Sequence, residues 1–140
     1  MRLLIINGPN LNLLGKREPE KYGTESLWDI ENSLRKQFPD IKFEFYQSNV
    51  EGEIVNFIQK AMDRITDGVI LNAGGYTHTS VAIRDAVATV KVPVIEVHLT
   101  NIQAREEFRH TSLLTPVCKG IISGFGAKGY ELAVRAILEG

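Results

Sequence analysis

Arg2-Leu3-Leu4-Ile5-Ile6-Asn7-Gly8-Pro9-Asn10 is the stretch from which the fold of this chain is read. Residues 2–7 run almost wholly apolar and stop at a Gly8-Pro9 turn. An unbroken apolar run of this length marks a strand buried on both faces, the environment of a parallel sheet. Such a strand needs helices on either side, and the sequence supplies them in alternation.

After a long loop, Thr24 before Glu25 predicts a helix start. Leu27, Ile30, Leu34 and Phe38 then repeat at helical spacing as far as Pro39-Asp40. Ile41 to Tyr46 alternate apolar and polar residues, which predicts an edge strand with one wetter face. Ile54, Phe57, Ile58, Ala61 and Ile65 outline a second helix, and Gly68 opens the buried strand Val69-Ile70-Leu71. Val81 to Val90 predict a third helix, and Pro93 to His98 a fourth strand. Thr100 and Gln103 have capping-box spacing. Gly120 to Ser123 form a fifth short strand, and Tyr130, Ala133, Val134 and Ile137 line a closing helix. This alternation is that of an α/β protein, a flavodoxin-like three-layer sandwich with a five-stranded parallel sheet in order 2-1-3-4-5.

The chain has 140 residues, a length for one domain spanning 1–140. A domain of this size buries roughly 70% of its unfolded surface, so its core needs no disulfide. The formal net charge of −1 argues against a nucleic-acid or anionic-membrane partner held by bulk charge. The single cysteine, Cys118, reads as structural. The N-terminus lacks the pattern of a signal peptide, and no apolar run approaches a membrane span. The expectation is a soluble, cytoplasmic protein.

The topology predicts where a ligand binds. In open α/β sheets it is the crevice beyond the carboxyl ends of the strands, near the switch point between strands 1 and 3. Three segments reach that edge: the loop from Gly8 to Gly23, the run Asn72 to Ser80, and Glu96 to Asn101. They are rich in Asn, His, Tyr and Gly. A loop as long as the first is usually functional or disordered, and Leu11, Leu13 and Leu14 give it apolar anchors.

Other motifs are weaker. Gly124-Phe125-Gly126-Ala127-Lys128-Gly129 has dinucleotide-type glycine spacing, but too few residues follow to supply the acidic partner on a second strand. No Walker-type Gly-Lys-Ser/Thr is present, and the end of strand 1 lacks the acidic residues of a phosphorylated receiver domain. His78, His98 and His110 lack close metal-ligand spacing, so no metal is expected.

Glu96 and His98 lie two apart on one strand, so they share a face. A carboxylate beside an imidazole sets its tautomer and suits it to act as a general acid; the same pair also serves to hold a strand end. Tyr22 follows Arg17 by five residues on the loop. Ionising a phenol at neutral pH means lowering its pKa by about 3 units, which takes roughly 4 kcal/mol. One guanidinium at about 4 Å supplies that much at an effective dielectric near 20. The alternative is a packed tyrosine and a solvated arginine. Asn10, Asn12, Asn72, Thr100 and Asn101 suit a small oxygen-rich ligand, with Asn12 better read as a turn residue. Free N–H groups at Thr100-Asn101 favour a carboxylate.

These stretches resemble type II 3-dehydroquinate dehydratase (type II dehydroquinase), a family of the shikimate pathway. The matching motifs are Asn7-Gly8-Pro9-Asn10-Leu11, Gly15-x-Arg17-Glu18-Pro19-x-x-Tyr22-Gly23, Asn72-Ala73-Gly74-Gly75-x-Thr77-His78-Thr79-Ser80 with Arg84-Asp85-Ala86, Glu96-Val97-His98-Leu99-x-Asn101, and Arg105-Glu106-x-Phe108-Arg109. The resemblance implies a flavodoxin-like lyase that reversibly dehydrates 3-dehydroquinate to 3-dehydroshikimate through an enolate, with neither cofactor nor metal. It implies that Tyr22 is the base, that Arg17 lowers its pKa and that Asn10 positions a water at the enolate oxygen. It implies that His98 is the acid, with Glu96 behind it. Asn72, His78, Arg109 and the Leu99–Thr100 turn match substrate-holding positions. Asp85 matches a residue supplied by a neighbouring subunit of a homododecamer, a tetramer of trimers. The loop carrying Tyr22 becomes an active-site lid.

The chain departs from the family pattern at Thr100, where serine is common, and at Thr111, where histidine is common. Tyr76 reads as wall packing. The competing class is a flavodoxin-like flavin- or nucleotide-binding module, against which the loop counts by having no Ser or Thr before Thr24. A Schiff-base dehydroquinase needs a longer barrel fold.

Overall fold

The structure is a computed structural model that describes residues 1–16 and 18–140. Among them are the strands β1 (Arg2–Asn7), β2 (Lys42–Gln47), β3 (Gly68–Asn72), β4 (Val94–His98) and β5 (Gly120–Ser123). They form one parallel sheet in the order β2-β1-β3-β4-β5, as expected. The helices are α1 (Pro19–Tyr22), a single turn within the long loop, then α2 (Leu27–Gln37), α3 (Glu51–Gln59), α4 (Val81–Thr89) and α5 (Lys128–Glu139).

Alternation along the strands sorts the core into two layers. Leu3, Ile5, Ile70, Ile95 and Val97 pack with Leu34 of α2 and with Tyr130, Ala133, Val134 and Ile137 of α5. Leu4, Ile6, Val69, Leu71 and Val94 pack with Ile54 and Ile58 of α3 and Ile83 and Val87 of α4. β2 lies at the sheet edge. Its Tyr46, expected on a wetter face, stacks on Phe57 with ring centroids 4.7 Å apart. Cys118 is half-buried, and burial followed by the Glu96 charge pushes its thiol up to about 12, as befits an inert cysteine.

Three local expectations are corrected. α2 is capped by Ser26 rather than Thr24: Ser26 Oγ accepts from Asp29 N at 3.1 Å, and Asp29 returns the bond to Ser26 N at 3.0 Å. Thr24 has Leu27 three residues on, which cannot reciprocate. The second helix ends before Ile65, which is 58% exposed. The chain tightens into a 3-10 turn at Lys60–Met62, and the Asp63 carboxylate then captures the N–H groups of Ile65 and Thr66. Thr100 does not form a capping box. The segment Ile102–Ala104 is a three-residue 3-10 turn capped by Asn101, whose Oδ1 accepts from Gln103 N at 3.0 Å.

The carboxyl ends of the central strands are bolted together. Register places Asn7 of β1 beside Asn72 of β3, both facing α5. The buried Tyr130 hydroxyl donates to Asn7 Oδ1 at 2.5 Å and accepts from Asn72 Nδ2 at 3.0 Å. Asn72 Oδ1 in turn accepts from Gly74 N at 3.2 Å. The two turns beyond also touch: a Cβ on Gly8 would lie 2.5 Å from Ala73 O, so only glycine fits there. Replacing Tyr130 by Phe leaves both asparagines short of a partner in a dry site. The expected loss is about 1–3 kcal/mol of folding stability, read as a lower denaturant midpoint at unchanged slope. A midpoint equal to that of the parent would show that the bolt carries no load.

Candidate active site

A cleft opens beyond these strand ends. Asn10, Tyr22, Asn72, His78, His98, Leu99, Thr100 and Arg109 all line it. The topological expectation is thereby met: the loop after β1, the turn after β3 and the end of β4 converge. Glu96 is fully buried directly behind His98. Asp85 is exposed on α4 and does not line the cleft. Arg17 lies outside the described residues.

Each polar group is held by something definite. Asn10 sits in the left-handed region at φ 70°, which asparagine tolerates, and its N–H donates to Asn49 Oδ1 at 2.9 Å. Tyr22 ends α1, half-buried against the core layer under α2 and α5. Leu99 is buried, and the Thr100 carbonyl accepts from Ser123 Oγ at 3.0 Å, which ties that turn to β5. Arg109 Nε donates to Glu106 Oε2 at 2.6 Å. Tyr76 donates its hydroxyl to the Asn49 carbonyl and packs against the layer under α3 and α4, as wall packing requires.

The two histidines are arranged oppositely. His98 Nε2 donates to Glu96 Oε2 at 2.5 Å, so in the neutral ring Nδ1 is an acceptor. Burial alone would push the Glu96 carboxyl up. Hydrogen bonds from His98, Thr115 and Ser112, together with the His98 charge, outweigh it and hold the group below the usual carboxylate range. His78 Nδ1 donates to the Thr111 carbonyl at 2.8 Å, so its Nε2 is an acceptor in the neutral ring. Burial, then the charges of His98 and Arg109, keep His78 below the ordinary imidazole value against the opposing pull of Thr111 and Glu96. The rings stack with centroids 6.4 Å apart, so a charge on His98 disfavours protonation of His78.

Arg105 is a site residue to which the sequence reading assigned no role. It lines the cleft, its guanidinium carbon stands 5.5 Å from the centroid of the Tyr22 ring, and its Nη1 donates to Thr100 Oγ1 at 3.4 Å. With Arg109 it brings two cations to the cleft lining. The only signal in sequence was its place in the quoted Arg105-Glu106-x-Phe108-Arg109 motif. Among the described residues, no group of three or more His, Cys, Asp and Glu side chains converges in a way that could hold a metal ion.

The family model described as Dehydroquinase class II matches residues 1–138. The chain belongs to this family. A 3-dehydroquinate dehydratase of Halalkalibacterium halodurans is 56% identical, covering 99% of this chain and 96% of that protein. One of Fusobacterium nucleatum is 55% identical, covering 99% of this chain and 97% of its own length. The crystal structure of a type II dehydroquinase from Butyrivibrio crossotus superposes with a TM-score of 0.95 at 48% identity, over 99% of this chain and 97% of that one. Family membership thus agrees with a sheet order and a cleft that were reached from the residues alone.

The His78 arrangement has a pH consequence. The unfolded chain takes up this proton near the ordinary imidazole value of about 6.5, before the folded chain does. The stability contributed by neutral His78 is therefore full above that value and declines as pH falls through it, levelling off once the folded ring protonates. NMR titration is expected to place His78 below the ordinary value, and His78→Asn to flatten that part of the stability curve. Titration at or above the ordinary value would contradict the assignment.

Proposed function

We propose that this chain is a hydro-lyase that reversibly dehydrates 3-dehydroquinate to 3-dehydroshikimate in the shikimate pathway. The observation that carries the reading is that Tyr22 and the Glu96-backed His98 face one cleft in a class II dehydroquinase. Elimination of water from a β-hydroxyketone needs a base for the α-proton, donors for the enolate oxygen and an acid for the leaving hydroxyl.

The roles are those that the family resemblance implies. Tyr22, as phenolate, takes the C2 proton next to the C3 ketone, and the electron pair moves onto the ketone oxygen to form an enolate. Asn10 orients a water towards that oxygen. The enolate then collapses, the bond to the C1 hydroxyl breaks, and His98 Nδ1 supplies the proton with which the hydroxyl leaves as water. Glu96 stabilises the imidazolium state of His98 during this cycle. Arg105 puts positive charge over the ring where the phenolate forms. Arg17 is assigned the same task from the family resemblance.

Asn72, His78 and Arg109 hold substrate hydroxyls. His78 is suited to this because its neutral Nε2 accepts a hydroxyl proton. The Leu99–Thr100 turn receives the carboxylate. Asp85, exposed on α4, is offered to the cleft of a neighbouring subunit in a homododecamer built as a tetramer of trimers. The enzyme works in the cytoplasm; among the described residues no helix is long and apolar enough to cross a membrane. The family match lends no support to the alternative of a flavin- or nucleotide-binding module.

Mixing the purified protein with 3-dehydroquinate, without added metal, is expected to give growing enone absorbance. Tyr22→Phe should lower kcat by about 10³-fold, within the range for losing a general base, while KM changes little. No enone from the parent protein would overturn the reaction, and full turnover by Tyr22→Phe would overturn the base.

A further inference from the structure

The buried Glu96 carboxyl touches more than His98. Ser112 Oγ lies 2.8 Å from Oε2, and Thr115 Oγ1 lies 2.5 Å from Oε1. Both hydroxyls come from the loop between Arg109 and β5, and neither residue lines the cleft.

The direction of the Ser112 bond is set by its other contacts. The N–H groups of Leu114 and Thr115 both donate to Ser112 Oγ at 3.1 Å. A hydroxyl has two lone pairs and one proton, so with both lone pairs taken the proton goes to Glu96. Thr115 meets the other oxygen. A carboxyl group receiving hydrogen bonds on both oxygens is favoured as the anion. An anion on Nε2 of His98 makes Nδ1 the nitrogen that exchanges its proton with the cleft.

The loop itself is fastened. Leu113 N donates to the Thr77 carbonyl at 2.9 Å, and Arg84 Nη1 of α4 donates to the Leu113 carbonyl at 3.0 Å. One residue earlier, the Thr111 carbonyl accepts from His78 Nδ1. A single strap of residues 111–115 therefore faces both site histidines with opposite polarity. It gives a carbonyl directly to His78 and hydroxyls, by way of Glu96, to His98.

We propose that Ser112 and Thr115 are positioning residues of the dehydration, which together hold Glu96 as a carboxylate against His98 Nε2 so that the leaving hydroxyl is protonated from Nδ1. The inference rests on His98 being the acid, as read above. It adds that a loop outside the cleft sets which nitrogen does the work.

Thr115→Val keeps the shape of the side chain and removes the hydroxyl. It is expected to lower kcat about tenfold, the scale on which outer partners of a working histidine act, with KM essentially unchanged. Thr115→Ser should restore kcat. An unchanged kcat in Thr115→Val would overturn the proposal, as would a loss that Thr115→Ser does not rescue.

Ring-nitrogen NMR of the parent protein without substrate gives an arm that needs no variant. Neutral His98 is expected to carry its proton on Nε2, and neutral His78 on Nδ1. His98 protonated on Nδ1 instead would overturn the proposal. Failure of the reaction reading shows separately, as parent protein that makes no enone.

Discussion

The central strands β1, β3 and β4 are covered by helices on both faces, so a polar side chain enters this sheet only where a partner is ready to meet it. Those places are the carboxyl ends of the strands. Asn7 and Asn72 are admitted on one face because Tyr130 reaches up from α5 to satisfy both. Glu96 and His98 are admitted on the other because they satisfy each other and the strap supplies two hydroxyls. The site is thus the one edge at which a dry sheet can carry polar chemistry, and the same hydrogen bonds that make it tolerable also aim its groups.

Electrostatics then divides the labour. His78 and His98 are near neighbours, yet burial and the charges of His98 and Arg109 act on the first, while the second meets a buried carboxylate. The first is held below the ordinary imidazole value, and the second is hydrogen-bonded to that carboxylate. Arg105 lies over Tyr22, and Arg109 is paired to Glu106. Two imidazoles, a phenol and two guanidinium groups therefore stand around one cleft.

Much of the fold was legible because the strands are apolar runs and the helices repeat at their own period. Glu96 and His98 were paired correctly from spacing alone, since residues two apart on a strand face one way. Errors fell where a short polar side chain competes for nearby N–H groups. Ser26 took the cap from Thr24, Asp63 ended a helix that apolar spacing would have carried to Ile65, and Asn101 displaced Thr100. These contests are decided by small differences in hydrogen-bond geometry that residue type does not display.

The sequence by itself determined the alternation of strands and helices, the edge at which the cleft opens, and most of the side chains that meet there. It could do so because periodicity and strand polarity are local properties. Only the tertiary structure decided that Arg105 lies over Tyr22, that Tyr130 ties Asn7 to Asn72 across the sheet, and that Ser112 and Thr115 hold Glu96. Each of these joins residues between 16 and 123 positions apart, or through rings whose approach depends on packing. No pattern in the chain encodes such a meeting until the layers close.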